Sequence, residues 1–290
     1  DVMLSLVDIS SDANTWLLYA TGPGEPGAYY VYDRTAASME PLAAVYPQAP
    51  VNALSPITVV NYQSRDGVPL WAYVVAQPGN GPRPMVVLPH GGPEVRDHFD
   101  YDAYAQFLAS RGYVVLQPNF RGSLGFGRRF ADAGRGQWGL MMQNDVTDAV
   151  QHMITQGVAD PQRICIVGAS YGGYAALAGV SLTPDLYQCA ISISGVSDLP
   201  ESLRTERREN GRLSSNYQYW LRSIGDPNQN RDALYAVSPA RLAGRITAPV
   251  LLIHGATDDN VPIEQSRIMQ RALREAGKPT RLVELEDAGH

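Results

Sequence analysis

Ile164-Cys165-Ile166-Val167-Gly168-Ala169-Ser170-Tyr171-Gly172-Gly173-Tyr174-Ala175-Ala176-Leu177-Ala178 is the stretch that decides the architecture. It opens on a short apolar run with two isoleucines and a valine, the composition of a strand buried on both faces. A G-x-S-x-G turn follows, and then a run of strong helix formers. Strand, tight turn and helix form the context in which this motif works as a nucleophile elbow. A serine on so sharp a turn sits in strained backbone geometry, so its neighbours must be small, and Gly168 and Gly172 carry no Cβ to clash. The Ser170 hydroxyl then stands clear of the sheet, and the Tyr171 N–H points where an oxyanion would develop. The bland alternative, a chance match in a glycine-rich loop, has no reason to carry both flanks.

Outward from the elbow, strands and helices alternate. Met85-Val86-Val87-Leu88, Tyr113-Val114-Val115-Leu116, Ala190-Ile191-Ser192-Ile193, Val250-Leu251-Leu252-Ile253 and Thr280-Arg281-Leu282-Val283-Glu284-Leu285 read as strands. Helices are predicted over 101–110, with Asp100 as cap, over 145–155 and over 263–276. Such alternation implies an α/β chain with a mostly parallel sheet covered by helices on both faces. Two strands at 57–62 and 70–75, joined through Asp66-Gly67, precede it as a hairpin. Residues 1–52 differ: Thr15–Ala20 and Ala28–Tyr32 flank the turn cluster Gly22-Pro23-Gly24-Glu25-Pro26-Gly27, and the segment reads as a helix-free antiparallel hairpin. The least legible part, 198–247, carries charges (Arg204, Glu206, Arg207, Arg208, Glu209) and aromatics (Tyr217, Tyr219, Trp220). It reads either as a solvated helical excursion or as an insert that shapes a pocket.

Bulk properties exclude several classes. The 290 residues hold one large α/β domain or two smaller ones, and 44% hydrophobic residues suffice for a sizeable core. A net charge of -6 argues against a nucleic-acid binder. No apolar run reaches membrane-spanning length. Two cysteines make no disulfide framework, and Cys165 and Cys189 are expected as buried core thiols. The chain begins at Asp1 without a signal peptide, so its compartment, cytoplasm or periplasm, stays open.

A serine hydroxyl needs a general base, and the base needs an orienting carboxylate. In α/β-hydrolases these follow in the order serine, acid, histidine. Only His254 and His290 follow Ser170. His254 ends an apolar strand and reads as structural, whereas His290 lies just beyond the last strand, where a base must stand. Asp258 and Asp259 both lie past the preceding strand, and Asp198 is a third candidate. Spacing does not separate Asp258 from Asp259, and each could instead cap the helix that starts near Pro262. A second oxyanion donor belongs in the loop after an earlier strand, which points to the Gly91 N–H in His90-Gly91-Gly92-Pro93. His90 reads as a loop brace. Neither a P-loop nor an H-E-x-x-H zinc helix is present, and Gly122-Ser123-Leu124-Gly125-Phe126-Gly127 lacks the setting of a nucleotide loop.

Together these motifs resemble the prolyl oligopeptidase family of serine peptidases over most of residues 55–290. The specific set is Arg65-Asp66-Gly67, His90-Gly91-Gly92-Pro93, Asn119-Phe120-Arg121-Gly122-Ser123, the Ser170 elbow and the His254–Pro262 run. The second and third look most like the acylaminoacyl-peptidase branch. The resemblance implies an α/β-hydrolase fold over 53–290, with Ser170 as nucleophile, Asp258 as acid, His290 as base, and Asn260 and Val261 in contact with substrate. It implies no metal or organic cofactor and a peptide as partner, with no nucleic acid, no membrane and room for a homo-oligomer. Family members carry a β-propeller before this domain, so residues 1–52 read as the remnant of its last blade. They also continue past the histidine into a helix, so the chain reads as a fragment truncated at its C-terminus. A carboxylesterase on the same triad and an inactive truncated domain are the competing readings.

Overall fold

The computed structural model describes residues 2–49 and 51–290; Asp1 and Pro50 of the expected 1–52 segment lie outside them. Two compact units partition the chain.

The first comprises Asp1–Val59, Tyr73–Asn80 and His98–Val115. Its centre is an antiparallel sheet of β1 (Met3–Ile9), β2 (Thr15–Gly22), β3 (Glu25–Asp33) and β4 (Ser38–Ala44), paired in sequence order. The expected hairpin is β2–β3, closed across Pro23 and Gly24, and two strands flank it. Opposed aromatics pin its register: Trp16 faces Tyr32 with ring centroids 5.7 Å apart, and Tyr19 faces Tyr29 at 5.1 Å. The flanking strands left little trace in the sequence. Every residue of β1 is exposed, so no polar alternation marks it, and β4 carries Pro41, beside which its pairing with β3 shifts register. Helix α1 (Ala103–Ala109) is capped by Asp102, which accepts the Ala105 N–H at 2.7 Å. The expected cap, Asp100, instead accepts the Thr21 hydroxyl at 2.7 Å and the Tyr101 N–H at 2.8 Å.

The second unit comprises Val60–Ala72, Gly81–Asp97 and Leu116–His290. It is built on a sheet of β5 (Ile57–Gln63), β6 (Pro69–Val75), β7 (Arg83–Val87), β8 (Val114–Asn119), β9 (Ala159–Ala169), β10 (Cys189–Ile193), β11 (Val250–Gly255) and β12 (Thr280–Leu285). The strand order is β12-β11-β10-β9-β7-β8-β6-β5, and the first five are mutually parallel. The helices are α2 (Arg128–Asp132), α3 (Met141–Thr155), α4 (Tyr171–Leu182), α5 (Leu199–Asn210), α6 (Ser215–Ile224), α7 (Arg231–Ala236) and α8 (Glu264–Glu275). The 198–247 segment thus folds as three helices and a 3-10 turn at 239–245. Helix α4 is buried from Tyr171 to Ser181, as its uninterrupted apolar and small residues require. Burying that length anchors the elbow.

One expectation is overturned. Cys165 and Cys189 are not thiols but a disulfide, and both are only half-buried. Parallel pairing of β9 with β10 sets the two opposite each other, Cα to Cα 4.7 Å apart, within reach of a bridge. Each lay in an apolar run, but an apolar run carries no information about its neighbour's register. Among the described residues, no helix is long and apolar enough to cross a membrane.

Candidate active site

Strand β9 delivers Ser170 into a backbone conformation rare for a side-chain-bearing residue, φ 58° and ψ −122°. Two backbone hydrogen bonds hold it there. The Ser170 N–H donates to the Ile193 carbonyl at 2.9 Å, and its own carbonyl accepts the Tyr174 N–H at 3.0 Å. A Cβ on Gly168 would collide with the Gly172 backbone, and one on Gly172 with the Pro89 carbonyl. The motif's glycines are therefore required by contact as well as by dihedral. Tyr171 is the first residue of α4, so its N–H lies among those that a helix start leaves without an internal partner.

The loop after β7 passes beside this turn. A Cβ built on Gly91 would lie 3.2 Å from the Ala169 carbonyl and 3.5 Å from the Ser170 Cβ, which puts the Gly91 backbone directly against the serine. His90 braces the loop from beneath. Its ring stacks on Phe120 with centroids 4.3 Å apart, Nδ1 lies 2.8 Å from the Gly91 carbonyl, and Nε2 lies 2.7 Å from the Ser123 hydroxyl. Burial pushes the imidazole down to about 4, outweighing the opposing pull of the Gly91 carbonyl, so His90 is neutral near pH 7. The Ser123 hydroxyl that Nε2 meets also donates to the Phe120 carbonyl at 2.7 Å, which ties the brace to the next loop.

His290 meets Asp258, with Nδ1 2.8 Å from Oδ2 and 3.0 Å from Oδ1. An ionised carboxylate only accepts, so Nδ1 carries the proton and Nε2 is left as a lone pair. Burial pushes the Asp258 carboxyl up, but the Val261 N–H and the hydrogen bonds from His290 and Ser194 outweigh it and hold the group below the usual range. Its Oδ1 also accepts the N–H groups of Asn260 at 3.0 Å and Val261 at 2.9 Å. Asp259 is exposed, and Asp198 is committed elsewhere, pairing with Arg241 at 2.7 Å and capping α5 through the Glu201 N–H. His254 is buried; Nε2 donates to the Val261 carbonyl at 2.7 Å and Nδ1 accepts from Ser266 at 2.7 Å. Burial lowers its basicity, so it brings no second cation to Asp258, although it lies 3.4 Å away.

Ser170, Tyr171, Asn260, Val261 and His290 line one cavity of about 430 Å³. Sequence reasoning missed Trp138, which also lines it and packs edge-on against Tyr171 at 4.6 Å, with its indole N–H on Ser223. It sits after a glycine-rich loop with no pattern to mark it. The 198–247 helices contribute Leu203, Glu206, Glu209 and Trp220 to the same wall, so the excursion does shape a pocket. The arrangement has a strained hydroxyl, an imidazole with a free nitrogen, a buried carboxylate and backbone donors at one place, the equipment for acyl transfer.

Residues 98–290 match the model of the prolyl oligopeptidase family. Dipeptidyl aminopeptidase BIII of Pseudoxanthomonas mexicana is 36% identical over 290 residues, covering 96% of this chain and 42% of that protein. Acylamino-acid-releasing enzyme 1 of Oryza sativa subsp. japonica is 29% identical, covering 81% of this chain and 31% of its own length. The structure of a Mycobacterium tuberculosis puromycin-hydrolyzing peptidase superposes with a TM-score of 0.84 at 30% identity, over 96% of this chain and 42% of that one. The chain thus spans less than half the length of these relatives.

Proposed function

Because this chain belongs to the prolyl oligopeptidase family and has its α/β-hydrolase fold, we propose that residues 53–290 are the catalytic domain of a serine peptidase acting on short peptides. The observation that carries the reading is the shared cavity: His290 spends Nδ1 on Asp258 and lines the same space as Ser170. In the first half-reaction the Ser170 Oγ attacks the peptide carbonyl carbon and its proton passes to His290 Nε2. The Gly91 and Tyr171 N–H groups receive the oxyanion. Collapse of the tetrahedral species expels the amine, protonated from Nε2, and leaves an acyl-Ser170 ester. Water, deprotonated by His290, then releases the acid and restores the serine. Asp258 keeps the imidazole in the tautomer with a free Nε2 and faces the imidazolium when it forms. Asn260 and Val261, on the cavity wall, contact the peptide.

Residues 1–52 are read as one blade of a propeller, supported by the four-stranded antiparallel meander. The disulfide favours the periplasm over the cytoplasm, since such bonds persist where thiols are not kept reduced.

The test is hydrolysis of a panel of free and N-acylated aminoacyl-anilides beside aryl esters by the full-length protein, with Ser170→Ala as control. Anilide cleavage that falls at least ~10³-fold in the variant is expected. Ester cleavage alone would overturn the peptidase reading in favour of an esterase. Activity unchanged in Ser170→Ala would remove the serine from the mechanism.

A further inference from the structure

Helix α5 has two working faces. Ser202, Thr205, Glu206 and Glu209 line the cavity that holds Ser170. Arg204 and Arg207 instead line a separate cavity of about 350 Å³, together with Tyr217 of α6, Asn228, and Arg231 of α7. We infer that this second cavity is a binding site for a small oxyanion, a phosphate or carboxylate group.

Three arginines line one concavity in a chain of net charge -6, and no carboxylate is among the residues that line it. Only Arg204 is neutralised locally, by Glu201 on its own helix. Arg207 and Arg231 form no ion pair among the described residues, and Arg231 lies over the Tyr235 ring at 5.9 Å. Asp226 lines the adjoining cleft with Arg207, but its oxygens accept from the Asn228 backbone and amide and from Gln229. Arg207 and Arg231 are exposed and keep their charge without a carboxylate partner among the described residues.

Tyr217 lines the same cavity. The residue as a whole is 3% exposed. An anion held by the arginines would have the Tyr217 hydroxyl within the same cavity as a further donor. Guanidinium forks match the paired oxygens of carboxylate and phosphate, a geometry that lysine cannot supply. Leu203 lines both cavities, so an anion here braces α5 from behind while its other face meets the first cavity.

The test uses the full chain carrying Ser170→Ala, so that catalysis plays no part. Equilibrium dialysis with labelled inorganic phosphate, and separately with citrate, is run at constant ionic strength set by chloride. One anion bound per chain is expected, with its dissociation constant weakened at least tenfold in Arg207→Gln/Arg231→Gln. Arg129→Gln on α2, outside the cavity, is expected to bind as the parent does. Preference for phosphate or for citrate identifies the ligand class. No saturable binding of either by the parent chain would overturn the site, as would equal binding by the double variant. Thermal unfolding in chloride alone establishes that the double variant is folded before its binding is read.

Discussion

Asp258 and Asp259 are adjacent and chemically alike, and spacing gave no means of choosing between them. What separates them is a backbone turn: the N–H groups of Asn260 and Val261 fold back onto Asp258 Oδ1 and fix that carboxylate toward His290, while Asp259 faces solvent. Replacing the acid with its amide tests the assignment without changing size. An asparagine at 258 offers an N–H to His290 Nδ1, which favours the tautomer with the proton on Nε2 and removes the base. Asp258→Asn is expected to lower kcat on anilides on the order of 10³–10⁴-fold, and Asp259→Asn less than about 3-fold. Steady-state kinetics on both variants decides it, and similar losses in both would sink the assignment. Ser170 and His290, the residues that chain order singled out, line one cavity. The choice of acid was not legible, because it depends on which of two side chains a three-residue turn captures. Trp138 was invisible for a related reason, since it reaches the cavity from a loop whose path no local pattern encodes.

At the scale of elements, the parallel strands and α3, α4 and α8 were legible because their apolar spacing records the layer each covers. The first and last strands of the small sheet were not, since an exposed strand has nothing to alternate against. The disulfide between β9 and β10 belongs to this scale, because only strand pairing creates it. It joins residues 24 apart in sequence and spans the strand that carries Ser170. Closing a loop of that size restricts the unfolded chain, which stabilises by about 3 kcal/mol in the loop-entropy account. Cys165→Ala/Cys189→Ala is expected to lower the thermal midpoint by roughly 5 °C. Dithiothreitol on the native chain is expected to do the same. A midpoint unmoved by both, measured by calorimetry, would show that the bridge contributes nothing to stability.

For the whole molecule, the dependence of stability on pH comes down to two buried histidines. Burial lowers His90 from 6.5 to about 4 and lowers His254 as well. A histidine held neutral in the fold binds its proton more readily once unfolded. Between those two values the unfolded chain therefore carries more protons, and stability rises with pH. The contribution is fully present above 6.5 and is lost progressively as pH falls toward 4, about 3 kcal/mol for His90 over that range. The paired surface carboxylates act elsewhere. Asp66, hydrogen-bonded by Arg121 and Ser64, is lowered to about 2, and Asp12, Asp160 and Glu284 are also lowered. Their contributions persist at any pH above the ordinary carboxylate range and fall away only below it, whereas burial raises the Asp145 carboxyl, which opposes the histidines just above that range. Urea midpoints followed by tryptophan fluorescence at pH 7.5, 6 and 5 are thus expected to decline stepwise. His90→Asn is expected to flatten the decline by about one proton's worth, 1.4 kcal/mol per pH unit. A flat profile in the native chain across this range, or an equal slope in the variant, would mean that the loop beside Ser170 is not held by a buried neutral imidazole.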